Sequence, residues 1–195
     1  SYHLFTSFLV GNVWSQIQLG EIGKGVDINP TVRFGNYPRN IFLGQNISIG
    51  HGTHIYAGPN SKVIIGDNTM IGPYVFITTE AFSESKDNPQ GVHSGHSGDI
   101  EICSNVRIGA HSNILPGVKI GSDSSTGAGS VITQNVSSKS VVAGNPAKLI
   151  KTRFNKKQIN SLLRIKWWNW SEEKIISEID DFYNDVTKFI KKHDK

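Results

Sequence analysis

The sequence predicts an all-β chain wound from six-residue repeats of parallel strand, followed by a C-terminal α-helical tail. Two observations carry this prediction: a period of six in the aliphatic residues, and a change to helical spacing after Asn145-Pro146. Aliphatic side chains stand at Ile102, Ile108, Ile114, Ile120 and Ile132, with Thr126 filling the one skipped step. The same phase runs through Ile22 and Ile28, then Leu43, Ile49 and Ile55, then Ile65, Ile71 and Ile77. Two positions before each of the later repeats stands a small or β-branched residue: Val106, Ser112, Val118, Ser124 and Ser130.

A period of six matches neither the 3.6 of an amphipathic helix nor the alternation of a half-exposed strand. Short parallel strands with sharp turns do match it. Three hexads then make one triangular turn, and the inward aliphatic residues stack on their equivalents at about the 4.8 Å strand spacing. Glycine, asparagine and aspartate suit the corners, as in GDN at 66–68 and GSD at 121–123, because the backbone there needs positive φ or close approach. Such a solenoid buries each turn only against its neighbours, so its ends need covers.

The phase breaks at 34–40, 57–63 and, at greater length, 80–98. The first two read as corner insertions, with Pro38 and Pro59 marking turns. The third, EAFSESKDNPQGVHSGHSG, is polar and aperiodic, and a loop of that length in a compact domain is usually functional. Past residue 150, Asn155 is placed to cap a helix with Ile159, Leu162 and Leu163 on one face. Ser171, followed by Glu172 and Glu173, opens a second helix with an apolar stripe from Ile175 through Ile179, Phe182 and Val186 to Phe189. Trp167, Trp168 and Trp170 read as packing anchors, and the helices as a cover for the solenoid or a neighbouring subunit. The expected organisation is a cap segment at 1–21, a repeat domain at 22–150 with its long loop at 80–98, and a helical tail at 151–195.

Composition narrows the class. The chain has 195 residues, 37% hydrophobic and 18% charged, which suits one globular domain with an appendage rather than a disordered or membrane protein. No run reaches the roughly 18 apolar residues of a spanning helix, and the opening lacks the marks of a signal peptide, so the expected location is cytoplasmic, with no integral membrane segment. The single cysteine, Cys103, excludes an intrachain disulfide framework and reads as inert. A net charge of +4 is small for a nucleic-acid partner, and twelve of the basic residues lie between Lys148 and Lys195, where they read as solvated helix faces or as contacts to a phosphate-bearing ligand.

The run IGAHSNILPGVKIGSDSSTGAGSVITQNVSSKSVVAGNPAKLIKTRF resembles the hexapeptide-repeat acyltransferases. The tail INSLLRIKWWNWSEEKI is similar to the end of their xenobiotic acetyltransferase branch, which also contains polysaccharide and sugar O-acetyltransferases. The resemblance covers nearly all of the chain past residue 20. It implies a left-handed parallel β-helix, a homotrimer with sites between subunits, and acetyl-CoA along the groove between neighbouring prisms. By position it assigns backbone amides at Gly109, Ala110, Gly127, Ala128 and Gly129 to the pantetheine arm. Pro146, Lys148, Lys151 and Arg153 fall to the adenine and phosphate end. The implied activity is transfer of an acetyl group from acetyl-CoA to a hydroxyl or amino group of a sugar, a polysaccharide or a similar small acceptor. The alternatives are an antibiotic acetyltransferase and a catalytically silent scaffold.

Acyl transfer to a hydroxyl or amine needs a base for the acceptor proton and donors for the oxyanion. In the resembled family a histidine stands just after the repeat that here ends in YVFITT, where this chain has Glu80, Ala81 and Phe82. Arg107 also replaces a common tryptophan. Three readings stay open: His93 or His96 at the far end of the loop serves as base, Ala81 stands in place of a lost histidine, or the chain is silent. A zinc site from His51, His54 and His111 is the rival chemistry, but the spacing for it is absent, and no metal is expected.

Overall fold

The inward aliphatic residues form three parallel ladders. In the computed structural model, which describes residues 18–83, 94–152 and 154–194, the chain visits three sheets in rotation and returns to each at every third strand. The first turn comprises β1 (Glu21–Ile22), β2 (Asp27–Ile28) and β3 (Arg33–Phe34); the second β4 (Ile41–Leu43), β5 (Ser48–Ile49) and β6 (His54–Tyr56). The third comprises β7 (Val63–Ile65), β8 (Met70–Ile71) and β9 (Phe76–Thr78), after which β10 (Glu80–Ser83) and β11 (Ser94–Ser97) leave the coil as an antiparallel pair. The fourth turn holds β12 (Ile100–Ile102), β13 (Arg107–Ile108) and β14 (Asn113–Ile114); the fifth β15 (Lys119–Ile120), β16 (Ser125–Thr126) and β17 (Val131–Ile132). Strands β18 (Ser140–Gly144) and β19 (Ala147–Thr152) extend the second sheet at its end.

Register keeps equivalents in contact. Leu43, Ile65, Ile102 and Ile120 are consecutive partners in the first sheet, Ile71, Ile108 and Thr126 in the second, and Ile77, Ile114 and Ile132 in the third. All of these are buried. The odd member, Thr126, is satisfied inside: its hydroxyl accepts from the Gly109 amide at 3.0 Å and meets Ser112 Oγ at 3.2 Å. Ser112, Ser124 and Ser130 are buried, and each hydroxyl donates to a nearby backbone carbonyl. Such pairing removes the penalty of burying a polar group.

Two compact units make up the chain, Ser1–Lys151 and Thr152–Lys195. In the second, Asn155 caps α1 (Lys156–Ile165) through a reciprocal pair with Gln158, each bond 2.9 Å long. The single stripe expected from Ile175 to Phe189 is broken into α2 (Glu172–Ser177), α3 (Ile179–Tyr183) and α4 (Val186–His193). Glu178 leaves helical geometry at φ −109°, ψ 15°, and Asp185 starts a fresh helix by accepting from the Thr187 amide. The spacing still serves packing: Trp167 meets Phe182, and Trp170 stacks on Phe189. No described helix is long and apolar enough to cross a membrane.

Neighbouring residues on one strand should respond differently to truncation. Ile65 is 1% exposed and Ile64 42% exposed. Ile65→Ala should lower unfolding free energy by about 2–5 kcal/mol and Ile64→Ala by less than about 1, read from denaturant midpoints. In the helical unit, Asp181 accepts from Lys192 at 2.7 Å and lies 2.8 Å from His193 Nε2. The lysine first and the histidine second draw its carboxyl from the usual 3.8 down to about 2. A depressed carboxyl stabilises the fold above its unfolded value and loses that effect as pH falls through the folded one. Hydrogen-exchange protection of α3 and α4 should therefore fall between about pH 4 and pH 2, with Asp181→Asn flattening the response.

Candidate active site

Each turn of the coil has three corners, and they are chemically different. The first, between first and second sheets, repeats Asn46, Asn68, Asn105 and Asp123 at positive φ, residue types that tolerate that region. The second corner carries Gly52, Tyr74, His111 and Gly129 at φ between 55° and 70°. The third carries all three breaks of the repeat.

The second corner holds the residues assigned to an amide-bearing arm. Gly109-Ala110-His111 follows β13, and Gly127-Ala128-Gly129 lies one turn on, with Gly129 N donating to Ala110 O at 2.8 Å. Glycine is required at 109 because a Cβ there would meet Ala128 N at 2.6 Å and Gly127 C at 2.7 Å, both backbone. Residue 127 is equally tight against Ala143. Among the described residues the Ala110 and Ala128 amides donate to no acceptor, while the amides on either side do. The coil below has Pro73 at the same place, and the first turn has Pro30. The result is a column of small residues with outward N–H groups one strand spacing apart. Below it His51, Tyr74 and His111 form a ladder of rings, 4.6 Å edge-on and 5.0 Å stacked.

The basic residues lie at the end of the second sheet. Lys148 and Lys151 are exposed on β19, and Pro146 is exposed in the link from β18. Lys148 also lines a cavity of about 220 Å³ with Thr133, Gln134 and Leu149. Arg153 lies outside the described residues. So does His93.

At the third corner the aperiodic loop starts and ends as a ladder. Its register pairs Glu80 with Ser97, Ala81 with His96, Phe82 with Gly95 and Ser83 with Ser94. Directly paired residues share a face, with Cβ atoms about 5 Å apart. Exposed His96 thus stands beside Ala81, one of the two places, with Phe82, where the resemblance puts a histidine. The foot of the ladder is pinned, with Gly98 N donating to Thr79 O and Lys62 N to the Asp99 carboxylate. One and two turns below lie the shorter breaks. Asn40 Nδ2 donates to Gly58 O at 2.7 Å, joining them, and a Cβ on Gly58 would meet the Glu80 carboxylate. Between them opens a cavity of about 610 Å³ lined by Gln18, Phe34, Tyr37, Arg39 and Pro59 among others. The cavity opens where the breaks at 34–40 and 57–63 are expected to shape an acceptor pocket, whereas the 81–96 pairing was not singled out from sequence. The shared corner could have been found by counting hexads in threes, because each break follows the third member of a triplet.

The three histidines of the zinc reading do not converge. His54 sits on the third sheet against Tyr56, while His51 and His111 flank Tyr74 at the second corner. The metal-competent cluster among the described residues is Glu178, Asp181 and His193, whose carboxylates already hold Lys192 at 2.6 and 2.7 Å. Cys103 is half-buried, and burial first and the Glu101 charge second push its thiol up, away from the reactive thiolate.

Residues 99–134 match the family described as bacterial transferase hexapeptide (six repeats). A probable macrolide acetyltransferase of Lysinibacillus sphaericus is 34% identical over 144 residues, covering 71% of this chain and 78% of that protein. A chloramphenicol acetyltransferase of Klebsiella aerogenes is 37% identical over 137 residues, 69% of this chain; the chain spans 62% of that relative's length. Among solved structures, a galactoside acetyltransferase in complex with coenzyme A superposes with a TM-score of 0.63 at 28% identity, over 79% of this chain and 71% of that one. Repeat, register and relatives agree, and the chain belongs to the hexapeptide-repeat acyltransferase family.

Proposed function

We propose that this chain is an acetyl-CoA-dependent acetyltransferase that modifies a hydroxyl or amino group of a sugar, polysaccharide or similar small acceptor. In this reading residues 22–150 form a left-handed parallel β-helix with residues 1–21 as its cap segment and 151–195 as its helical tail, and the working unit is a homotrimer. The observation that carries the reading is the cross-strand pairing that sets His96 beside Ala81. An imidazole there can take the proton of an acceptor hydroxyl as its oxygen attacks the thioester carbonyl, and pass it to the departing thiolate. A C–O bond forms, the C–S bond breaks, and the proton ends on sulfur.

Acetyl-CoA fits the second corner. Exposed amides at Ala110 and Ala128 suit carbonyls of the pantetheine arm, Gly109, Gly127 and Gly129 let it approach the backbone, and the exposed Pro146, Lys148 and Lys151 at the end of the second sheet suit its phosphates, the end to which the resemblance also assigns Arg153. That edge and the His96 edge sit at opposite ends of the third-sheet strands. At about 3.3 Å per residue the half-dozen residues between them span roughly 20 Å, so a second copy must supply the other half of each site. Relatives named for transfer to chloramphenicol and macrolides support the alternative of an antibiotic acceptor. The amides and guanidinium around the third-corner cavity favour a hydroxyl-rich one.

A thiol-release assay with acetyl-CoA against sugars, glycan fragments and antibiotics tests the activity; absence of turnover and of acetyl-CoA binding would sink it. His96→Ala should lower kcat by about 10²–10⁴. Adding Ala81→His in that background should restore part of the loss, and an unchanged kcat in His96→Ala would remove His96 from the mechanism. Ala128→Pro deletes the outward N–H at a corner position where Pro30 and Pro73 already sit in other turns. It should weaken acetyl-CoA about tenfold by calorimetry without moving the thermal midpoint. If sites are shared in a closed ring, co-assembling chains inactivated at His96 with chains blocked at Ala128 leaves about a quarter of sites intact, each half being sound at a chance of one in two. With acetyl-CoA held below saturation, the mixture should then turn over faster than either parent, the His96→Ala chain or the tenfold weaker-binding Ala128→Pro chain.

A further inference from the structure

The third-corner cavity is two turns of the coil below the His96 ladder, on the same edge. Strand spacing sets that offset at roughly 10 Å. Its volume of about 610 Å³ lies within the range of small-ligand sites. A continuous wall joins the two places: Tyr37 and Arg39 in the first break, Asn40 bonded to Gly58 O and Pro59 O in the second, then the Glu80 carboxylate against Gly58, and Ala81 with His96 beyond.

The lining has a definite chemistry. Tyr37 is 44% exposed and, among the described residues, stacks on no other ring. Arg39 donates to the neutral amide oxygen of Gln18 and, among the described residues, pairs with no carboxylate. An open aromatic face suits the C–H face of a pyranose, while an uncompensated guanidinium offers a planar fork to a carboxylate. The acid must sit at this end, because Glu80 lies nearer to His96 and repels it there.

We propose that the cavity is a remote subsite for an acidic sugar residue of an oligosaccharide, whose continuation along the same edge brings a hydroxyl to His96. The role of His96 rests on the acetyltransferase reading; the binding of the glycan does not. A monosaccharide cannot fill both places, whereas two further rings of an extended chain cover an offset of this size. Binding at the remote ring then orients the reacting one.

Binding of galacturonate, alginate and hyaluronan oligomers, with maltodextrins as neutral counterparts, tests this from monosaccharide to hexasaccharide by calorimetry. At least one acidic series should bind with affinity that rises to the trisaccharide and then levels, and neutral chains should bind at least about tenfold more weakly. Tyr37→Ala and Arg39→Ala should each weaken the acidic series about tenfold, with thermal midpoint and acetyl-CoA affinity unchanged. No acidic series binding, a monosaccharide binding as well as the trisaccharide, or variants binding like the parent would each overturn the subsite. Glycan binding without acetyl-CoA binding would leave the subsite standing and remove the transferase; the reverse would remove the subsite alone.

Discussion

Everything in the repeat unit depends on each inward side chain finding its equivalent one turn away. Ile102 rests on Ile120, eighteen residues further on, which is three hexads with nothing added. Ile65 rests on Ile102 across thirty-seven residues, and Leu43 on Ile65 across twenty-two. The same contact forms whatever the length of chain between, because the free energy comes from burying the aliphatic stack and loop closure adds only a slowly growing entropic term. Extra residues are therefore tolerated, provided that they leave and rejoin the coil at one corner without shifting the phase.

All the extra residues leave at the third corner. At the other two, neighbouring turns touch backbone to backbone: a carbon added to Gly66 at the first corner would meet Ser104 N at 2.7 Å, and one added to Gly109 at the second would meet Ala128 N at 2.6 Å. Insertion there would break the stack itself. The third corner is where the coil can change length, so its loops can vary while the frame stays fixed, which is how a rigid scaffold comes to carry a variable site.

This division explains what was legible. The strands, the buried residues and the corner glycines follow from a period that each hexad repeats, so the reading of Ile28 to Ile132 needed no knowledge of the fold; Ile22 keeps the phase and pairs with Leu43, yet on the first turn it is 47% exposed. Thr126 looked like a gap in the pattern, and only the structure shows its hydroxyl satisfied between Ser112 and the Gly109 amide. The pairing of Ala81 with His96 was not legible, because antiparallel register across a loop is set by the strands that close it and not by the hexad phase. His96 stood out only as one of two histidines in the loop. The division of the tail into α2, α3 and α4 was hidden for a different reason: apolar spacing survives a short break, so the stripe through Ile179 and Phe182 reads the same whether Glu178 is helical or not.

A histidine displaced from one strand of a ladder to its cross-strand partner is a small change in space and a large one in sequence. Residues 81 and 96 are fifteen apart along the chain, yet they share one face of β10 and β11. The frame below constrains where that face points, since Gly98 is bonded to Thr79 and Asp99 to Lys62 at the foot of the ladder. Within the proposed reading, the requirement is an imidazole at a place, not at a position in the sequence. A pinned two-stranded ladder offers that place from either strand, so the motif around residue 81 can vanish while the chemistry is kept.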